Sequence, residues 1–288
     1  MSFVHSPIDV FQNKFIDSPF MKLKLLLFFA LQIAFSLNSR ANDYTTVTDI
    51  PYGSDAAPYA VESCNLADYY SAGSTNCPVV VWFHGGGIEG GSKHIPAELR
   101  DCGFVVVAVN YRLLPKCTPD ECIDDAEAAV AWPLGNIEKY GGSRSKIFVS
   151  GHSAGGYLTM MIGLDKSRLA KHGVDANEIR GLIPFSGQCV THYNVRKLQG
   201  IGPLSPTIDS FAPISYLRAD APPMIIVSGD RELELFGRYE EQAYFWRMLR
   251  LVGHNDCHLY EMQGFDHGAM ASPGFHVLKQ HVKRISEK

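Results

Sequence analysis

Apolar residues in this chain fall into short unbroken runs rather than strict alternation. Residues 78–83 (PVVVWF), 104–109, 146–150, 181–186, 224–228 and 257–262 each read as a strand buried on both faces. Helical patterns separate them. Residues 118–140 carry an Ala-rich face beside Asp124, Asp125 and Glu127, start at a Thr-Pro pair and close on Gly141-Gly142. Further helices are expected from 157 to 164, 232 to 252 and 273 to 285. Buried strands alternating with helices predict an α/β protein with a mostly parallel central sheet and helices on both faces. The weaker strands before residue 78 read as an antiparallel edge hairpin. Residues 187–221 contain Gly and Pro at intervals and no strand pattern, so they read as an insertion forming a small cap over the sheet.

The N-terminal segment differs from the rest. Met21-Lys22-Leu23-Lys24 opens a basic stretch, residues 25–37 are apolar apart from Gln32 and Ser36, and Ser39-Arg40-Ala41 follows with small residues at both ends. This is the layout of a secretory signal peptide, and the apolar run is shorter than the ~20 residues that span a bilayer. Residues 1–41 are therefore expected to be leader and signal peptide. Residues 42–288 are expected to be one domain, secreted or periplasmic, without stable membrane insertion after cleavage. Hydrophobic residues make up 46% and charged residues 19% of the chain, a balance that sustains a core without metals or staples. A net charge of −4 with no basic block excludes a nucleic-acid footprint.

All seven cysteines lie beyond residue 41. Cys117 and Cys122 share one short loop, and Cys64 and Cys77 flank the expected hairpin. Export would permit either bridge, though spacing does not fix connectivity. No Cys/His spacing suggests zinc, so neither metal nor cofactor is expected.

The chemistry concentrates in three places. Gly151-His152-Ser153-Ala154-Gly155 sits between an expected strand and an expected helix, the setting of a G-x-S-x-G nucleophile elbow. There the serine hydroxyl is lifted above the sheet and the helix N-terminus faces developing negative charge. His84-Gly85-Gly86-Gly87 follows a buried strand. The amides of Gly86 and Gly87, with that of Ala154, are candidate oxyanion donors, while His84 is expected to order the loop. A serine nucleophile needs a base and an orienting carboxylate, in chain order Ser, Asp or Glu, His. Asp230 directly follows the strand 224–228, and His267 follows the strand 257–262. Both occupy strand C-terminal ends, where ligands bind in open α/β sheets. His172 and His192 precede Asp230, and His254, His258 and His276 fall within strand or helix patterns. Glu232 and Glu234 compete with Asp230 but are placed at the start of the helix. The candidate catalytic set is Ser153, Asp230 and His267. The aromatic residues Phe236, Tyr244, Phe245 and Trp246 fit either a sugar or aryl pocket or, at helical spacing, the core.

Taken together, Trp82-Phe83-His84-Gly85-Gly86-Gly87, Asn110-Tyr111-Arg112-Leu113-Leu114-Pro115, Gly151-His152-Ser153-Ala154-Gly155-Gly156 and Phe265-Asp266-His267-Gly268 resemble the hormone-sensitive-lipase-like carboxylesterases and the related acetyl and feruloyl esterases of plant polysaccharides. The resemblance spans about residues 45–285. It implies an α/β-hydrolase fold and metal-free hydrolysis of short acyl esters, small-molecule or oligosaccharide, by a Ser153–His267–Asp230 triad. Two features depart from the lipase-like pattern. His152 stands where those proteins often have Asp, and residues 42–77 are too few for a large helical cap, which favours the acetyl or feruloyl type. An arylformamidase would share the same machinery and differ in hydrolysing N-formylkynurenine. A catalytically inactive binding module would not react with a fluorophosphonate.

Overall fold

The computed structural model describes residues 44–53, 57–71 and 73–287. The leader and signal-peptide expectation for residues 1–41 lies outside the described residues. One eight-stranded sheet organises the chain, in the order β1-β2-β4-β3-β5-β6-β7-β8. The strands are β1 (Tyr44–Pro51), β2 (Asn65–Ser71), β3 (Cys77–Phe83), β4 (Val105–Val109), β5 (Gly142–His152), β6 (Gly181–Phe185), β7 (Met224–Gly229) and β8 (Cys257–Met262). From β4 through β8 every neighbouring pair is parallel. β1 and β2 form the expected antiparallel edge, and β2 pairs with β4, not with β3. Cys64, just before β2, and Cys77, at the start of β3, therefore lie at opposite ends of the strands and not across a hairpin. The Cys64 side chain packs beside Gly53, while Cys77 Sγ reaches Thr75 O. Cys117 and Cys122, by contrast, place their sulfurs 3.1 Å apart as free thiols.

The helices are α1 (Pro58–Ser63), α2 (Pro119–Asn136), α3 (Ala154–Leu164), α4 (Lys166–Ala170), α5 (Tyr193–Leu198), α6 (Arg238–Leu251) and α7 (Ala271–Ser286). Successive strand residues point to opposite faces, which gives the chain two cores. Val79, Val81 and Phe83 of β3 pack with α2, α3 and the Phe245–Leu249 side of α6. Val80 and Trp82 pack on the other face with Phe148, Phe185 and the Phe275, Leu278 and Val282 stripe of α7. α2 starts as the Thr-Pro pair implies. Thr118 Oγ1 accepts from Glu121 N, and Glu121 Oε2 accepts from Thr118 N at 2.7 Å, a reciprocal cap. The insertion at 187–221 contains α5 and a short helical turn at Pro213–Tyr216 and contributes no strand. Among the described residues no helix is long and apolar enough to cross a membrane.

α6 begins later than the pattern suggests. It was expected from residue 232 but starts at Arg238, after Gly237 in the left-handed region at φ 67°. Residues 230–237 instead form a folded-back loop, and this loop reorganises the site.

Candidate active site

Three strand ends converge above the sheet. Ser153 occupies the junction of β5 and α3 at φ 57° and ψ −114°, a conformation rarely held by a side-chain-bearing residue. Its neighbours hold it there. Ser153 N donates to Phe185 O at 2.8 Å, and Tyr157 N donates to Ser153 O at 3.0 Å. The turn is tight enough to exclude side chains. A Cβ at Gly151 would lie 2.7 Å from Phe83 O, and one at Gly155 would lie 2.1 Å from that same carbonyl.

His267, on the loop between β8 and α7, reaches Ser153 directly. His267 Nε2 lies 2.9 Å from Ser153 Oγ. His152 buttresses this loop. Its Nε2–H donates to the backbone carbonyl of His267 at 2.7 Å. Burial, with the neighbouring His267 ring, pushes the His152 ring down to about 4, so it stays a neutral donor near neutrality. His152 thus fixes the loop that carries His267.

The carboxylate on His267 is Glu234, not Asp230. His267 Nδ1–H donates to Glu234 Oε2 at 2.8 Å, and the Glu234 side chain is 1% exposed. Glu234 Oε1 accepts from Gly229 N at 2.9 Å. Burial pushes its carboxyl up, but hydrogen bonds from His267, Ser186 and the Gly229 amide outweigh that and hold it at about 2. Ser186 Oγ also lies 2.8 Å from His267 Nδ1, bridging base and acid from the end of β6. Asp230 does other work. Its Oδ1 accepts from Glu232 N at 2.9 Å and its Oδ2 from Gly264 N at 2.7 Å, tying the loop after β7 to the loop after β8. Leu233 N and Glu234 N both donate to Asp230 O, so the chain doubles back at Asp230 and delivers Glu234 under the histidine. Gly229 makes room, since a Cβ there would stand 2.9 Å from Glu234 Oε1. Glu234 already stood among the sequence candidates. The signal that would have promoted it is Gly237, a helix breaker that removes residues 232–236 from α6.

The loop after β3 has its carbonyls fastened one after another. His84 O accepts from Tyr111 OH at 3.0 Å and Gly85 O from His84 Nδ1 at 2.6 Å. Gly86 O accepts from Gly90 N at 2.9 Å, Gly87 O from Asn194 Nδ2 at 2.6 Å, and Ile88 O from Leu114 N at 2.8 Å. Among the described residues no protein acceptor is paired with the amides of Gly86 and Gly87. Gly86 and Gly87 both have positive φ, 110° and 64°. Gly85 packs against the nucleophile, with its Cβ position 3.4 Å from Ser153 Cβ. Ala154 follows Ser153 at the first turn of α3, where helical amides lack intrahelical partners. His84 orders the loop as expected. It is buried, stacks on Tyr111 with ring centroids 4.5 Å apart, and is pushed by burial to about 4. Asn194 and Ser186 were not legible as site residues because each acts across a long sequence separation.

A serine, a base on its hydroxyl, an anchored carboxylate and a pair of unengaged amides define the hydrolase arrangement of an α/β-hydrolase fold. Comparisons with known proteins agree on that class. The BD-FAE family matches residues 68–182, a stretch that includes the glycine loop and Ser153 and ends before Glu234 and His267. The chain is similar to the probable carboxylic ester hydrolase LipM of Mycobacterium tuberculosis, with 27% identity over 213 residues, covering 65% of this chain and 48% of that protein. It thus spans about half the length of the curated relatives it matches. Among solved structures, the thermophilic esterase Est2 of the planctomycete Thermogutta terrifontis superposes with a TM-score of 0.62 at 23% identity, covering 77% of this chain and 87% of that one. A truncated carbohydrate esterase from gut microbiota gives 0.68 at 18% identity, covering 86% and 99%. The fold is that of the α/β-hydrolases, and the chain resembles their esterase branch.

Proposed function

We propose that this protein is a serine carboxylic ester hydrolase acting on short-chain acyl esters through Ser153, His267 and Glu234. The observation that carries the reading is the unbroken relay from Ser153 Oγ through His267 Nε2 and Nδ1 to Glu234, at 2.9 and 2.8 Å. Ser153 Oγ attacks the ester carbonyl while its proton passes to His267 Nε2. Glu234 orients the ring and stabilises the imidazolium. The carbonyl oxygen, now an anion, is held by the amides of Gly86, Gly87 and Ala154, each donor worth ~10²–10³ in turnover. The tetrahedral carbon expels the alkoxide, which takes the proton from His267 and leaves as the alcohol. Water then attacks the acyl-enzyme, giving its proton to His267, and Ser153 is released with the carboxylic acid.

Acetylated or feruloylated carbohydrates are the proposed natural esters, a reading supported by the sequence resemblance and by the carbohydrate esterase among the structural neighbours. Export to a secreted or periplasmic location is proposed from the signal-peptide layout of residues 21–41. The test is direct. The protein should hydrolyse p-nitrophenyl acetate and react with a fluorophosphonate probe, and Ser153→Ala should lose both. Turnover retained by Ser153→Ala would overturn the mechanism.

A further inference from the structure

Between the insertion and the start of α6 lies a half-open cavity of about 430 Å³, within the range of small-molecule sites. Ser153, His267 and the glycine loop are not in its lining, but the lining adjoins residues that support them. Asn194, which latches Gly87 O, and Arg196, which lines the cavity, sit on the same helix α5. Tyr193 of that helix packs against Phe236, two residues beyond Glu234, with ring centroids 6.4 Å apart. Arg238, paired with Glu241 of the lining, donates from Nη1 to the carbonyl of Ser186, the residue that bridges His267 and Glu234.

Arg196 and Glu241 both belong to the cavity lining, and Arg238, outside it, holds Glu241. Arg238 Nε pairs with Glu241 Oε1 at 2.9 Å, and Glu241 Oε2 accepts from Val190 N at 3.3 Å. Both Glu241 oxygens are thus engaged away from Arg196. Arg196 is only 3% exposed, yet its Nε has no hydrogen-bond partner and its Nη1 meets only the backbone carbonyl of Ser205. Among the described residues no ion pair to Arg196 is present. Burial, opposed by Glu241 and joined by Arg238, lowers its pKa, as expected of a cation short of counter-charge. The other acid on the lining, Glu240, is exposed to solvent. A buried cation of this kind calls for an anion, and a guanidinium fork suits a carboxylate. The rest of the lining is mostly apolar, with Val190, Leu204, Ile208, Phe236 and Tyr244 beside the single amide of Gln188.

We infer that this cavity is the substrate pocket for esters bearing a free carboxylate, seated by Arg196, with an apolar body between Phe236 and Leu204. The inference rests on the esterase reading and narrows its substrate class. The carboxylate could come with the acyl group or with the alcohol, and two matched pairs separate these sources. The first is p-nitrophenyl hemisuccinate against p-nitrophenyl butyrate. The second is 4-(butyryloxy)benzoate against 4-(butyryloxy)benzamide. Wild type should favour the anionic member of at least one pair by about tenfold or more in kcat/KM, the scale of a charge-assisted hydrogen bond. Arg196→Met should reduce that ratio at least tenfold, and Arg196→Lys should keep part of it. If Arg196→Met does not fold, Leu204→Glu supplies a competing carboxylate from an exposed position and should collapse the ratio in the same way. A wild-type ratio at or below one in both pairs, or a ratio that neither variant moves, overturns the inference. Binding of monomethyl succinate to Ser153→Ala, read by calorimetry with and without Arg196→Met, tests the pocket independently of turnover. Arg196-dependent binding without hydrolysis would sustain the pocket while removing the esterase reading, and binding that is absent or indifferent to Arg196 would remove the pocket.

Discussion

Glu234→Gln preserves the shape of the side chain and removes its charge. The carboxylate accepts from His267 Nδ1, from the Gly229 amide and from the Ser186 hydroxyl, in a site where its side chain is 1% exposed. A glutamine cannot meet all of them. With its NH₂ toward His267 it forces Nδ1 to accept, which moves the ring proton to Nε2 and points it at Ser153 Oγ, the wrong tautomer for a base. With its oxygen toward His267, the NH₂ confronts the Gly229 N–H, a donor against a donor. Turnover should fall by roughly 10³–10⁴, about 4–5.5 kcal/mol of transition-state stabilisation. Folding stability should fall by about 1–3 kcal/mol, the cost of an unsatisfied buried polar group. Asp230→Asn is the matched control. Asp230 is half-buried and its two acceptors serve backbone amides, so turnover should stay within about fivefold of wild type, with a stability loss of roughly 1 kcal/mol. Steady-state kinetics on p-nitrophenyl acetate, normalised to fluorophosphonate-labelled sites, read both variants. The reasoning is refuted if Asp230→Asn loses three orders of magnitude while Glu234→Gln stays active.

Three other perturbations follow from the same geometry. Asn194→Ala releases the Gly87 carbonyl and should lower kcat about tenfold by loosening one oxyanion donor, with KM for p-nitrophenyl acetate little changed; an unaltered kcat would show that the latch is dispensable. Asp68 is fully buried on β2 with neither carboxylate oxygen partnered, and burial pushes its pKa up to about 7. Because this exceeds the unfolded value of about 3.9, the folded state holds the proton more tightly. The contribution of Asp68 to stability should be greatest below about pH 4, fall as pH rises to about 7, and then level off. Asp68→Asn should flatten that slope and gain on the order of 2 kcal/mol at pH 8, measured by urea titration; a slope that persists in the variant would assign it to other groups. Gly155→Ala would place a Cβ 2.1 Å from Phe83 O and should cost about 3 kcal/mol or more, seen as a lowered melting temperature or loss of soluble protein.

Legibility from sequence tracked how local each determinant was. β3 and β4 were legible because runs such as VVVWF have one stable fate, burial in a parallel sheet. Ser153 and the glycine loop were legible because strand, turn and helix are written consecutively. His267 needed only its place after β8. The orienting acid was harder. Asp230 occupies the strand end, and only the left-handed Gly237 together with the turns onto Asp230 O show that the chain folds back four residues further. Pairing of β2 with β4, which separates Cys64 from Cys77, and the reach of Asn194 to Gly87 O are long-range choices that no local pattern encodes. Of the four aromatics near α6, Phe245 is core, Trp246 packs against it, and Phe236 and Tyr244 line the cavity. Spacing alone leaves those roles undivided.

The carbonyl of Phe83 sits against both Gly151 and Gly155, and Gly187 crowds Gly156 so closely that a Cβ on Gly187 would stand 2.4 Å from the Gly156 carbonyl carbon. These positions are closed to variation, since any added atom displaces backbone. Beyond Gly187 and α5, the insertion obeys different arithmetic. It joins β6 to β7, two strands already paired in the sheet, and doubling the length of such a connection costs only about 0.6 kcal/mol in closure entropy. Lineages carrying this scaffold can therefore lengthen, shorten or rewrite the stretch after α5 that holds Leu204 and Ile208, while Asn194 on α5 stays latched to Gly87 O and the reacting atoms keep their places. Diversification should concentrate there, with the elbow glycines nearly frozen and selectivity drifting independently of catalytic competence.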